Sequence, residues 1–206
     1  MRLAVLLSGS GTTLQNLLDR IADDRLDARV VHVVASRADA FGLERARRAD
    51  IPAVAVERKK CASVEEFSAK IFNVCRQAQA ELVCLAGFLQ LVRIPEDFAG
   101  RVMNIHPALI PAFCGKGFYG HHVHEAVLNY GAKVSGCTVH FADNQYDHGP
   151  IILQRPVLVL DDDTPDTLAS RIFEQECEAY PAAIRLFAEG RLRVEGRRVA
   201  IIDTVS

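Results

Sequence analysis

The feature that most constrains this chain is an alternation in its first hundred residues between short branched-apolar runs and longer amphipathic ones. Arg2–Leu7 (RLAVLL) reads as a strand buried on both faces. SGSGTT follows, and then Leu14, Leu17, Leu18 and Ile21 keep the spacing of a helix. Residues 28–35 and 53–56 are further strand patterns, with a helix pattern at 40–49 between them. Residues 63–78 are amphipathic, with Phe67, Ile71, Val74, Cys75 and Ala78 on one stripe, and Leu82–Leu85 is the fourth strand. Repeated strand–helix units of this kind fit an α/β fold: a doubly wound, mostly parallel sheet with right-handed crossovers. Ligands in such sheets settle beyond the carboxyl ends of the strands. SGSGTT, the segment after Gly87 and the segment Asn104-Ile105-His106-Pro107 are all expected at that edge.

The bulk properties narrow the classes. At 206 residues, with 50% hydrophobic and 24% charged, the chain fits one generous domain with ample core. A net charge of −2 and the lack of a long basic run argue against a nucleic-acid partner. No stretch approaches the roughly 20 apolar residues of a membrane span. The N-terminus shows no secretory h-region and cleavage site. The six cysteines are scattered, without a CxxC pair or zinc spacing, so reduced thiols and a cytoplasmic location are expected.

Several residues carry candidate chemistry. In RVMNIHPALIP, Asn104 and His106 would share one face of a strand, an amide and a titratable imidazole suited to activating a carbonyl. A satisfied core histidine beside a turn asparagine accounts for the fragment equally well. In SGSGTT, Gly9 and Gly11 permit close approach and Thr12 and Thr13 add hydroxyls at a helix N-terminus, which suits a phosphate. No Gly-Lys-Ser/Thr follows, and Leu14 stands where a dinucleotide fingerprint has its third glycine, so a single phosphate is expected. The alternative there is a tight turn capped by Thr12. His121, His122 and His124 suggest a metal cluster, but adjacent helical positions diverge and no plausible ligand set is completed, so no metal is expected.

Residues 133–141 and 150–159 read as strands around the turn-rich ADNQYDHG, an antiparallel C-terminal extension. Asp147, at the end of that turn, could orient or charge His106, or could be only a turn aspartate. Thr164 and Pro165 start the last long helix, whose buried stripe is Leu168, Ile172, Tyr180, Ile184 and Phe187, with Pro181 expected to kink it. Glu176 falls on that stripe, so it needs either an arginine partner or hydroxyl donors from a ligand. The tail reads as a small hairpin around Gly196.

Together these segments resemble the phosphoribosylglycinamide formyltransferases, folate-dependent enzymes of purine (IMP) synthesis. The resemblance rests on SGSGTTLQ, SRADAFGLERA, LAGFLQLV, NIHPALIP, VHFADNQYDHGPII and EQECEAYP, and covers nearly the whole chain. NIHP with a downstream D-x-G-P marks the folate formyltransferase group. SGSG-x-x-LQ narrows it to the glycinamide ribonucleotide branch.

The resemblance implies a Rossmann-like formyltransferase fold and transfer of the formyl group of 10-formyltetrahydrofolate, as co-substrate, to the amine of 5'-phosphoribosylglycinamide. Asn104, His106 and Asp147 match the catalytic trio, with a protonated His106 and Asn104 donating to the formyl oxygen. Gly11, Thr12 and Thr13 match the phosphate contacts, and Glu176 the carboxylate that takes the ribose hydroxyls. Leu89, Gln90, Leu91 and Val92, with Asn104 and the run Asp143, Asn144, Gln145, Tyr146 and Asp147, match the folate pocket. It further implies a single domain: a phosphate-binding half at 1–100, a catalytic and folate half at 101–190, and a hairpin tail at 191–206. The partners are then two small molecules, with no nucleic acid or membrane, for a monomer or homodimer.

Departures from the pattern are Thr13 for a common asparagine, Gln90 and Val64 for arginines of some relatives, and a longer CGKGFYGHH loop. The competing readings are a formyltetrahydrofolate hydrolase, a methionyl-tRNA formyltransferase and a non-catalytic nucleotide-binding module. The first two are expected to carry a further domain, and the third predicts binding indifferent to His106.

Overall fold

A computed structural model describes residues 1–203, which fall into two compact units divided after Asn104. In the first unit the strands are β1 (Arg2–Leu7), β2 (Arg29–Ala35), β3 (Ala53–Ala55), β4 (Leu82–Leu85) and the start of β5 (Val102–His106). They lie in the order β3-β2-β1-β4-β5, every pair parallel, with Leu3 opposite Leu82 and Leu85 opposite Asn104. Leu3, Ala4, Val5, Leu6 and Leu7 are wholly buried, as a central strand covered on both faces requires. Each such leucine contributes about 2 kcal/mol by leaving water.

The crossovers are α1 (Thr12–Ala22), α2 (Phe41–Arg48) and α3 (Val64–Gln77). α3 begins at Ser63, whose hydroxyl accepts the Glu66 N–H at 3.1 Å, while the Glu66 carboxylate accepts the Ala62 N–H. α1 begins differently: Gly11 is its cap, left-handed at φ 71°, and no side chain closes the turn. Thr12 is therefore the first helical residue and not a cap.

In the second unit, α4 (His121–Tyr130) leads to β6 (Val134–Phe141) and β7 (Ile151–Leu158), an antiparallel pair. Gly136 lies against β7 so closely that a Cβ would stand 2.0 Å from the Arg155 carbonyl oxygen. α5 (Pro165–Ala188) packs on β6 and β7. It opens on a box in which Thr164 and Thr167 cap each other, with Pro165 first, and Pro181 lies inside it. β8 (Leu192–Glu195) and β9 (Arg198–Ile201) form an antiparallel hairpin, and β9 joins β7 through Ile151 and Arg198. Among the described residues, no helix is long and apolar enough to cross a membrane.

Candidate active site

β5 carries Asn104 half-buried and His106 buried, and residues two apart on a strand leave the same face. His106 Nε2 lies 2.8 Å from the Phe113 carbonyl oxygen. A carbonyl only accepts, so Nε2 is the protonated nitrogen and Nδ1 carries the lone pair of the neutral ring. That Nδ1 faces Asp147 Oδ2 at 3.6 Å, beyond hydrogen-bond reach but close enough for its charge to act. Burial pulls the imidazole below its usual pKa, and the Asp147 charge pulls it back in part. The protonated His106 that the resemblance implies is therefore opposed by its surroundings, and Asp147 is the group that supports it.

Asp147 ends the loop between β6 and β7 in the left-handed region, at φ 50°. Its Oδ2 accepts the Gly115 N–H at 2.8 Å, and its Oδ1 lies 3.8 Å from His140 Nε2. Burial works to raise its pKa. The His140 contact, the charge of His106 and the Gly115 N–H outweigh burial and hold the carboxyl below its ordinary value. His140, wholly buried on β6, fixes its ring by donating Nδ1–H to the Phe141 carbonyl at 2.8 Å. The sequence marks His140 only as a histidine inside an otherwise apolar strand just ahead of the Asp147 turn.

Glu176 is a part-exposed residue of α5 whose carboxyl is crowded by protein, and burial pushes it up to about 8. Among the described residues no hydrogen bond or ion pair reaches it, and no arginine pairs with it. Thr13 is buried beneath the glycine turn and Thr12 is exposed on it. In the first turn of α1 there is no acidic side chain to compete for its N–H groups.

Leu89 donates its N–H to Ser8 Oγ at 2.9 Å, and Ser8 Oγ in turn meets Ser36 Oγ at 2.6 Å. This ties the segment after β4 to the ends of β1 and β2. Leu89 is exposed, Gln90 and Leu91 half-buried and Val92 buried. Gln90 borders a cavity of about 670 Å³ with Ser36, Arg37, Glu57 and Arg58. Asp143 folds its carboxylate onto the Gln145 N–H and His148, leaving Asn144, Gln145 and Tyr146 on the surface.

Around the three neighbouring histidines, His121 pairs with Asp166 at 2.7 Å and His122 with Glu125 at 3.2 Å. His124 is buried with Nδ1 unbonded, and it is pushed down to about 4 by burial, then by His121 and His106. Among the described residues no group of histidine, cysteine and carboxylate side chains is arranged to hold a metal ion.

An imidazole and a carboxylate this close, with an amide on the same strand, can donate to a developing oxyanion and relay a proton. The model of the formyl transferase family matches residues 1–184. The chain belongs to that family. This formyl transferase is similar to a glycinamide ribonucleotide transformylase of Symbiobacterium toebii, at 47% identity and a TM-score of 0.91 over 98% of this chain and 94% of that one. It is 34% identical to the phosphoribosylglycinamide formyltransferase of Haemophilus influenzae, over 94% of this chain and 90% of the relative. It is 39% identical to the trifunctional purine biosynthetic protein of Gallus gallus over 94% of its own length, but spans only 19% of that relative. The doubly wound, mostly parallel formyltransferase fold expected for the chain is the one it has, antiparallel C-terminal strands included.

Proposed function

We propose that this formyl transferase moves the formyl group of 10-formyltetrahydrofolate onto the amine of 5'-phosphoribosylglycinamide, a step of purine biosynthesis. The observation that carries the reading is the His106–Asp147 pair, 3.6 Å apart, in a chain alike over nearly its whole length to enzymes named for that substrate.

In this reading the substrate amine attacks the formyl carbon and negative charge grows on the formyl oxygen. Asn104 donates to that oxygen, and His106, whose Nε2–H is held by the Phe113 carbonyl, donates to it from Nδ1 once that nitrogen is protonated, against the pull of its burial. Asp147 stabilises the imidazolium and moves protons, through water, from the amine to the leaving nitrogen. Gly11, Thr12 and Thr13 hold the phosphate, and the unpaired carboxyl of Glu176 takes the ribose hydroxyls. Leu89, Gln90, Leu91 and Val92, with Asn104 and the loop Asp143, Asn144, Gln145, Tyr146 and Asp147, hold the folate. The enzyme works in the cytoplasm on two small molecules and needs no metal.

The test is formyl transfer from 10-formyltetrahydrofolate with and without glycinamide ribonucleotide, formate release being followed in parallel. Ribonucleotide-dependent appearance of the formylated product is expected. Formate release indifferent to the ribonucleotide would make the chain a hydrolase instead.

A further inference from the structure

Arg45, on α2, has chemistry that the roles above leave unused. The start of α2 is pressed against the glycine turn: Gly42 donates its N–H to the Gly9 carbonyl at 3.1 Å. A Cβ on Gly11 would stand 2.7 Å from Gly42 Cα. One turn further along, Arg45 Nε donates to the Ser10 carbonyl at 2.9 Å, and Nη1 to Gln15 Oε1 at 3.0 Å. Ser10 lies within the turn, just before Gly11, and Gln15 belongs to α1, so one guanidinium grips both sides of Gly11, Thr12 and Thr13.

The grip leaves the charge unspent. Both acceptors are neutral, and among the described residues Nη2 has no acceptor and no carboxylate pairs with Arg45. The one carboxylate of α2, Glu44, is held by Arg47 at 2.7 Å and Arg48 at 2.8 Å, and nearby Arg37 is taken by Asp39 at 2.6 Å. The ring of Phe41, 5.2 Å from Arg45 Cζ, restricts the guanidinium further. A half-buried, pre-oriented fork with spare donors suits a phosphate monoester dianion.

We propose that Arg45 supplies the cation of the phosphate subsite and is the residue that makes the enzyme prefer a phosphorylated over an unphosphorylated glycinamide riboside. This rests on the reading that the glycine turn takes the substrate's phosphate.

The experiment uses the full-length protein as wild type, Arg45→Met and Arg45→Lys, at saturating 10-formyltetrahydrofolate. Kinetics are measured for glycinamide ribonucleotide and for its dephosphorylated nucleoside, with inorganic phosphate as a competitor. In Arg45→Met the ribonucleotide-to-nucleoside ratio of kcat/KM is expected to drop about tenfold or more, through the ribonucleotide KM, with phosphate competition weakened in step. Arg45→Lys keeps a point charge without the fork and is expected to fall between the two.

An unchanged ratio would overturn the proposal. So would a fall in kcat for both substrates alike, which would make Arg45 a structural clamp. Should Arg45→Met not fold, Arg45→Lys reads the same ratio with a smaller shift. Failure of the underlying reading looks different: the wild type itself would show no preference for the phosphorylated substrate and no competition by phosphate.

Discussion

Burial and charge oppose each other at His106, and burial has the larger effect on its pKa. The neutral ring is thus favoured in the folded protein relative to the unfolded chain. Its stability contribution is present above the ordinary histidine value of 6.5 and is lost as pH falls below it. Asp147 is the opposing influence, so in Asp147→Asn the imidazole should titrate lower still. Proton NMR of the His106 ring across pH measures this, and an upward move in the variant would contradict it. The same variant and His106→Ala should each lower turnover by about 10²–10⁴-fold, the range of a lost proton-transfer group, while ribonucleotide binding survives in calorimetry. Near-normal turnover in either would remove the pair from the chemistry.

Glu176 has the opposite sign. Its folded pKa of about 8 lies above the ordinary glutamate value of 4.5, so stability is full below 4.5 and declines as pH rises towards 8. Glu176→Gln removes that loss, which is on the order of a few kcal/mol at most given the residue's partial exposure. Melting curves of wild type and variant should converge near pH 5 and separate towards pH 8, with the variant higher. Curves that stay parallel would show that the carboxyl is well solvated after all. Above about pH 8, where the carboxyl is ionised, the ribonucleotide KM should rise in the same variant, because an amide accepts hydroxyls less well than a carboxylate.

At the scale of elements, Ser8 is where three strand ends meet. Its hydroxyl serves both the Leu89 N–H and the Ser36 hydroxyl, in a site almost closed to water. Ser8→Ala leaves those two groups short of a partner and should cost about 1–3 kcal/mol in urea unfolding. With Leu89 released, the KM for the folate should rise severalfold while that for the ribonucleotide holds. Equal changes in both would mean that the segment after β4 does not line the folate site.

Much at this scale was legible in the residues. The branched-apolar runs at Arg2–Leu7 and Leu82–Leu85 form strands with those bounds, because residues wholly enclosed by sheet and helix announce themselves by composition alone. Thr164 and Pro165 marked the start of α5 because a capping hydroxyl and a fixed φ are properties of residue type. The candidate site was readable only so far as side-chain identity carries it: Asn104, His106 and Asp147 could be named, and Glu176 stood out as a carboxylate on an apolar stripe. The Phe113 carbonyl on His106 and the Gly115 N–H on Asp147 could not be foreseen, since every residue has a backbone and only the fold aims it. Nor could Arg45, which in the run LERARR reads as one more solvated helix cation until the glycine turn is seen against it.

For the molecule as a whole, the cysteines offer a direct reading of how the chain opens. None of the six is in a disulfide; Cys75, Cys84 and Cys137 are buried, and Cys61, Cys114 and Cys177 are partly exposed. Burial pushes the Cys75 thiol up to about 12, against the nearby charge of Arg76. It also pushes Cys137 up to about 12, with Glu176 adding to it. Neither forms a reactive thiolate in the folded state, so each must wait for its surroundings to open before a thiol reagent reaches it. Cys75 belongs to the first compact unit and Cys137 to the second, so each thiol reports the opening of its own unit. Both should label slowly, well behind the three partly exposed ones. A folate analogue present at a hundred times its Kd should slow both by about a hundredfold, since it binds only the folded form. Labelling of either thiol as fast as the partly exposed ones, resolved by mass spectrometry of the modified peptides, would show instead that its surroundings open readily.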